Sequence, residues 1–379
     1  MTAIGPFSTD MYLPSFPSIA RDLRTSVAAV GYSLTSYFIG ISVGQLFYGP
    51  ITDRFGRKGP LLAGLALYVV AAVLSAFSPT LGWLVAFRFL MAFGACGGLV
   101  ASRAMIMDLF PIREIASILS SFMLIIALSP LLAPTIGGYL AAGPGWYLIF
   151  LSLAACVAVL FLAALVALPE SRKPDAAVSL RPAMIARRYR DVAADRRFLV
   201  YASASGTGSA ALFAYVASAA PLLMELHGLS QAQFGAVFAL IAAGLVGGSQ
   251  VNRLLLKRFH PARITKACVA AETVIGVALV ALALSGRLSL PLLLLLLPAY
   301  LFCVGMVNPN TTTLALEPFA KTAGSASALV GSFQMAFGAA ATAAMSAFAA
   351  PSPLPLAASF LICAVGGMVL LSAAPKADR

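Results

Sequence analysis

The chain has 379 residues, 61% of them hydrophobic and 10% charged, with a formal charge of +12 and a mean hydropathy of +0.95. A soluble domain carries about 25% charged residues, so this composition excludes a water-exposed surface of ordinary kind and makes lipid the solvent for most side chains. The basic excess does not indicate a nucleic-acid partner, because 20 of the 25 Lys and Arg fall in alternate loops and at the C-terminus. Only Arg21, Arg24 and Arg287 lie in the opposite loops, and Arg88 and Arg103 lie within a helix. That is the positive-inside pattern of a multi-pass protein, and it predicts both termini in the cytoplasm.

Apolar runs bounded by charge, Pro and Gly predict an all-α membrane protein of twelve transmembrane helices. The first six cover 1–20, 28–49, 60–78, 82–107, 114–140 and 146–168. The second six cover 198–222, 231–252, 262–285, 289–313, 323–349 and 354–374. Between them, Pro169 to Arg197 carries eight Lys or Arg against four acidic residues, which reads as a cytoplasmic basic linker with an amphipathic helix over 181–197. A faint repeat supports two six-helix halves, 1–168 and 198–379. Gly49, Asp53 and Arg54 recur 199 residues later as Gly248, Asn252 and Arg253.

Charges inside the spans are the sharpest candidates, since each costs at least about 2.5 kcal/mol unless paired or hydrated. Asp10 lies mid-span in helix one, and Arg88 lies in the outer third of helix four, ahead of Gly94, Gly97 and Gly98. They read either as a proton switch with its charge partner or as a permanent ion pair. Glu272 falls about ten residues into helix nine, where it would pair with Lys266, snorkel inward or carry a proton. Tyr37, Arg103, Asn308, Asn310 and Gln334 are candidates to line a cavity, as are Tyr201 and Tyr215. The five cysteines sit in apolar spans without metal-ligand spacing. His227 and His260 lie near span ends, with no Ser/His/Asp constellation, so neither an enzyme nor a metal site is expected.

The run Gly49-x-x-x-Asp53-Arg54-x-Gly56-Arg57-Lys58 after helix two resembles motif A of the major facilitator superfamily. The glycines would allow close backbone approach in a short turn, and the cations would hold it inside. The resemblance implies that Asp53 caps the start of helix eleven at Gly324-Ser325 and that Arg57 pairs with Asp108. Together these would form a latch favouring the outward-facing state, although a tight basic turn could simply fix topology. Arg88 and its glycines resemble motif B. Pro130, Pro134, Gly137 and Gly138 in helix five, one kinked stripe of small residues, resemble motif C, which is associated with antiporters.

Asp10-Met-Tyr12-Leu-Pro14, Phe87-Arg88 through Asp108, and Ala323-Gly324-Ser-Ala-Ser-Ala-Leu together resemble the Bcr/CflA drug-resistance transporters. That implies proton-driven export of bicyclomycin-, chloramphenicol- or sulfonamide-like compounds across the bacterial inner membrane. The partners would be a small-molecule drug, protons and the bilayer, with no cofactor beyond the proton gradient, and the unit would be a monomer. The alternative is a major facilitator carrier of a sugar, nucleoside or amino acid. Residues 1–20 only just suffice for a span at about 1.5 Å per residue, so helix one is expected to begin a turn or two late relative to relatives.

Overall fold

The computed structural model describes residues 3–109, 129, 132–140, 143, 145–171, 174–175, 180–348 and 352–373. Ten helices among them are long and apolar enough to cross a membrane. They are α4 (Tyr32–Phe55), continued backward by the short α3 (Val27–Val30), α5 (Lys58–Ala76), α6 (Leu81–Leu109) and α8 (Tyr147–Ala167). The others are α10 (Arg196–Ala220), α11 (Gln231–Leu255), α12 (Pro261–Leu284), α13 (Leu290–Leu316), α14 (Ala323–Ser346) and α15 (Leu354–Ser372). Each lies over one of the expected apolar runs. Their starts follow ordinary helix chemistry. Ser230 and Gln233 form a capping box at α11, the Asp195 carboxylate accepts the Phe198 N–H at α10, and Pro261 occupies the first turn of α12.

The remaining two expected spans are not single long helices among the described residues. Helix one is segmented into α1 (Ile4–Asp10), a 3-10 turn at Leu13–Ser15 and α2 (Phe16–Asp22). Pro14 and Pro17 account for this, since neither can donate the N–H that would carry an α-helix onward. Of helix five, residues 132–140 form α7, whereas most of 114–131, Pro130 included, lies outside the described residues.

The helices pack in two sets. α5 and α6 pack together, with α4 on α6 and α8 on α5; α10 to α15 pack among themselves, and α4 meets α14 across the boundary. Burial grades accordingly. In α4, 67% of the span window is buried, against 28% in α12. Val166, Val274 and Ile362 expose 86%, 70% and 70% of their surface. Exposed aliphatics in such numbers are what hydrocarbon solvates, and a closed set of helices leaves no unpaired backbone there. The basic linker helix α9 (Pro182–Ala193) lies against α14 and α10.

Candidate functional site

Two polar centres stand out, one within the bundle and one at the end carrying Arg57. The inner one is built around helix one. Asp10 ends α1, 7% exposed, and accepts a hydrogen bond from the Thr9 hydroxyl at 3.0 Å. The Arg88 side chain is fully buried on α6. Its Nη1 donates to the Ser8 carbonyl at 2.9 Å, a group left available because the last turn of a helix has no further intrahelical donors. Its guanidinium lies 4.3 Å from the Tyr37 ring centroid and 4.8 Å from that of Tyr12, close enough for favourable cation–π contact. The ring positions are themselves fixed. Tyr12 bonds Ser33 at 2.9 Å, and the hydroxyls of Ser8 and Tyr68 are bonded to each other.

Asp10 and Arg88 both lie near Tyr37 but are not ion-paired: among the described residues no salt bridge joins them. The sequence suggested mutual neutralisation, and the structure instead stabilises the cation with a carbonyl and aromatic faces. Arg88 Nε and Nη2 have no partner among the described residues. α7 reaches the same place through Gly137, where a Cβ would collide with the backbone carbonyl of Met11, next to Asp10. Only glycine permits that approach. Pro134 and Gly138 are buried on the same short helix.

In the second set of helices, α10, α13 and α14 bring together an uncharged polar cluster. The Gln334 amide donates to Ser205 at 2.7 Å and to Thr312 at 3.2 Å. Asn308 stands against Gly208, with its Oδ1 unpartnered among the described residues. Asn310, expected at a cavity, is instead buried in a reciprocal amide pair with Asn252, at 3.1 and 2.8 Å. Glu272 does not pair with Lys266; it is 3% exposed, and its Oε1 has no partner among the described residues. The side chain of Arg103 lies outside the described residues. α4 and α14 are joined by hydrogen bonds of Thr35 to Thr342 at 3.0 Å and of Ser42 to Ser332 at 2.9 Å, and an open groove of about 310 Å³ runs beside that contact, lined by Thr35, Ile39, Ser42 and alanines of α14.

The second centre surrounds Arg57, which is buried. Its guanidinium donates to Asp53 at 2.8 Å, to Thr52 at 3.0 Å and to Asp108 at 3.1 Å. This joins the end of α4 to the end of α6. The turn differs from expectation in two respects. Helix α4 runs on through Pro50, Asp53 and Arg54 to Phe55, so the motif's first half is helical rather than a loop. Gly49 makes no close approach, since the nearest atom to a Cβ there would be the Tyr189 hydroxyl at 4.0 Å. The glycine that the turn requires is Gly56, at φ +85°. At the corresponding place in the second set, Gly248 does have a tight contact, with the Phe302 carbonyl.

Sequence reasoning missed the start of the linker. Glu170 accepts from the backbone N–H of Arg57 at 2.7 Å and of Lys58 at 3.2 Å, capping α5 from 112 residues away, where an anion meets the positive helix end. Ser171 donates to Asp108 at 3.2 Å, and the Lys58 ammonium donates to the Leu165 carbonyl at 2.9 Å. Nothing local in the sequence marks Glu170 as a cap, because its helix begins far upstream. Asp53 was expected to cap helix eleven at Gly324-Ser325; that helix begins at Ala323, and the side chains at 320–323 lie outside the described residues. Tyr189 of α9 also reaches α4, donating to the Leu46 carbonyl at 3.0 Å. Burial pushes its phenol above the ordinary value, so it remains an O–H donor.

Comparison with known proteins places this architecture. The family model described as Major Facilitator Superfamily matches residues 1–343. An uncharacterized MFS-type transporter, YdgK of Bacillus subtilis, is 33% identical over 89% of this chain and 84% of its own. A bicyclomycin resistance protein homolog of Haemophilus influenzae is 32% identical over 89% and 85%. Multidrug resistance protein D of Escherichia coli is 29% identical over 100% and 94%. Among solved structures, a D-xylose-proton symporter superposes with a TM-score of 0.71 at 18% identity, covering 99% of this chain and 96% of its own. At that identity the likeness shows the fold alone. Helix packing, family match and relatives agree that this multi-pass membrane protein is a small-molecule transporter, not an enzyme, and belongs to the drug-resistance branch of the major facilitator superfamily.

Proposed function

We propose that the chain is a proton-coupled antiporter that exports small amphipathic antibiotics of bicyclomycin-, chloramphenicol- or sulfonamide-like chemistry. It works as a monomer in the bacterial inner membrane, with both termini cytoplasmic. Residues 1–168 and 198–379 rock as two halves about the linker 169–197. The proton gradient is the only energy source. The observation that carries this reading is a buried Asp10 whose carboxylate is bonded to Thr9 and is paired with no cation among the described residues. Because Ser8 and two aromatic rings already serve the arginine, Asp10 is free to take up a proton on one side and release it on the other. A permanent ion pair could not cycle in that way.

The rest of the site fits the same cycle. Gly137 lets α7 slide against helix one beside Asp10, so proton exchange and helix movement occur at one contact. The Asp53–Arg57–Asp108 cluster holds the cytoplasmic end of the first half as one rigid piece. The uncharged Ser205–Thr312–Gln334 wall offers donors and acceptors to a neutral drug without demanding a charge from it. The names of the relatives also support drug efflux. The energetics suffice: a proton crossing about 150 mV releases about 3.5 kcal/mol, enough for a drug gradient of a few hundred-fold at about 1.4 kcal/mol per decade.

The test uses energised inverted vesicles. Adding chloramphenicol or bicyclomycin releases protons from the lumen of wild-type vesicles, and Asp10→Asn abolishes the release. Wild-type proton release by that variant would remove Asp10 from the mechanism. Absence of any drug-induced release by the wild-type chain, across a broad compound panel, would sink drug antiport altogether.

A further inference from the structure

Tyr215 belongs to α10, in the second set of helices, which packs against the 3-10 turn of helix one. It is 1% exposed, and its hydroxyl has no hydrogen-bond partner among the described residues. A buried O–H left unmatched is costly, so such groups call for an explanation. Its ring is held firmly: it stacks on Phe238 of α11 at 5.3 Å with 23° between planes, and Phe238 in turn contacts Phe234 at 5.7 Å. The ring's position is thus accounted for by packing, and the hydroxyl is what packing leaves unused.

The place where helix one meets α10 is informative. The 3-10 turn at Leu13–Ser15 packs on both α10 and α11, which brings the end of α1 to this part of the second set. Asp10 lies within electrostatic reach of Tyr215. Among the described residues, the groups that bear on Asp10 include Thr9 from its own helix, Tyr37 from α4 and Tyr215 from α10, with Arg88 of α6 bonded to the carbonyl of Ser8 on the same short helix. α8 places the Phe150 ring against Arg88, and Gly137 of α7 meets the Met11 backbone beside Asp10. Thr9 already bonds one carboxyl oxygen, Arg88 gives its Nη1 to Ser8, and the Tyr37 hydroxyl, on the same set of helices as Asp10, is like that of Tyr215 without a partner among the described residues. Tyr215 is the one group of this set that comes from the opposing helices with an unspent donor.

We infer that Tyr215 is a positioning residue for proton exchange at Asp10, donating its O–H to the Asp10 carboxylate once the proton has left. Tyrosine keeps its own proton throughout; the proton exchanged is the carboxyl's. The bond ties α10 to helix one when Asp10 is charged. It weakens when Asp10 is protonated, because a hydrogen bond to a neutral acid is roughly half as strong. The state of one carboxyl is thereby converted into the strength of a contact between the two sets of helices. This inference rests on the reading of Asp10 as the proton carrier.

Tyr215→Phe removes the hydroxyl and keeps the stacked ring. Drug-induced proton release is measured in inverted vesicles across a pH series, with Asp10→Asn, Tyr215→Phe, the double variant and Tyr201→Phe as a control on the same helix. Loss of one donor to a carboxylate moves the pH midpoint of release upward by about one unit in Tyr215→Phe. Tyr201→Phe leaves the midpoint in place. In drug counterflow, which needs no net proton movement, Tyr215→Phe adds nothing to Asp10→Asn. An unmoved midpoint, an equal rate loss at every pH, a shift of the same size in Tyr201→Phe, or an additive effect in the double variant overturns the inference. Those outcomes leave the Asp10 reading intact, since that reading fails only if Asp10→Asn itself releases protons like wild type.

Discussion

Pro50 sits inside α4, so the Leu46 carbonyl lacks the backbone donor that residue 50 would ordinarily supply. Tyr189 of the linker helix fills that gap at 3.0 Å. Tyr189→Phe leaves a half-buried carbonyl unsatisfied. Net hydrogen bonds contribute about 0.5–1.5 kcal/mol and orphaned buried groups cost about 1–3, so partial exposure puts the loss near 1 kcal/mol. Opening of α9 from the bundle then becomes about fivefold easier. Amide hydrogen exchange across residues 185–194 in detergent or nanodiscs reads this directly. In a Pro50→Ala background the new backbone N–H claims Leu46, and Tyr189→Phe accelerates exchange by less than about twofold. The non-additivity is the signature of a shared acceptor. Equal acceleration in both backgrounds, or none in the single variant, refutes the assignment.

Arg57→Gln breaks a buried cation away from two carboxylates. It lowers stability by about 2–4 kcal/mol, at the lower end because Asp53 and Asp108 keep some solvent, seen as a drop in the thermal midpoint in detergent. Glu170→Ala removes the distant cap of α5 and costs about 1 kcal/mol, with faster exchange confined to the first turn of that helix. Gly137→Ala puts a methyl into the Met11 carbonyl and abolishes drug transport while Gly49→Ala, with nearest contact at 4.0 Å, transports normally; the comparison uses vesicles matched for protein content. Arg88→Lys keeps the charge but not the planar face that lies over Tyr12 and Tyr37, and drug transport falls at least about tenfold, as measured by efflux from preloaded cells.

The long apolar runs were legible because hydrocarbon admits few charges, and the observed helices lie over them. The break in helix one was foreshadowed by Pro14 and Pro17, though a run of apolar residues reads as one span. The Arg57–Asp108 pair came from the family resemblance, since two residues 51 positions apart carry no local signal of contact. Glu170 was invisible for the same reason. Asp10 and Arg88 misled differently. Opposite charges suggest a pair, but a sequence does not display a carbonyl freed at a helix end or two aromatic faces arranged around a guanidinium. Gly49 and Gly56 were indistinguishable as letters, and only backbone geometry separates the turn-former from its neighbour.

The reciprocal pair of Asn252 and Asn310 occupies the place in the second set where Asp53 stands in the first. Two carboxamides that satisfy each other in a closed ring carry no net charge and no titrating proton. Salt screens exposed charges farther apart than about 8 Å at physiological ionic strength and buried pairs much less, so the Arg57 contacts at 2.8 and 3.1 Å are largely spared, and between the two asparagines there is no charge to screen. The two places therefore hold their helices by different means. One sets a buried cation between two carboxylates. The other closes on itself with neutral amides, so it asks no counter-charge of its surroundings.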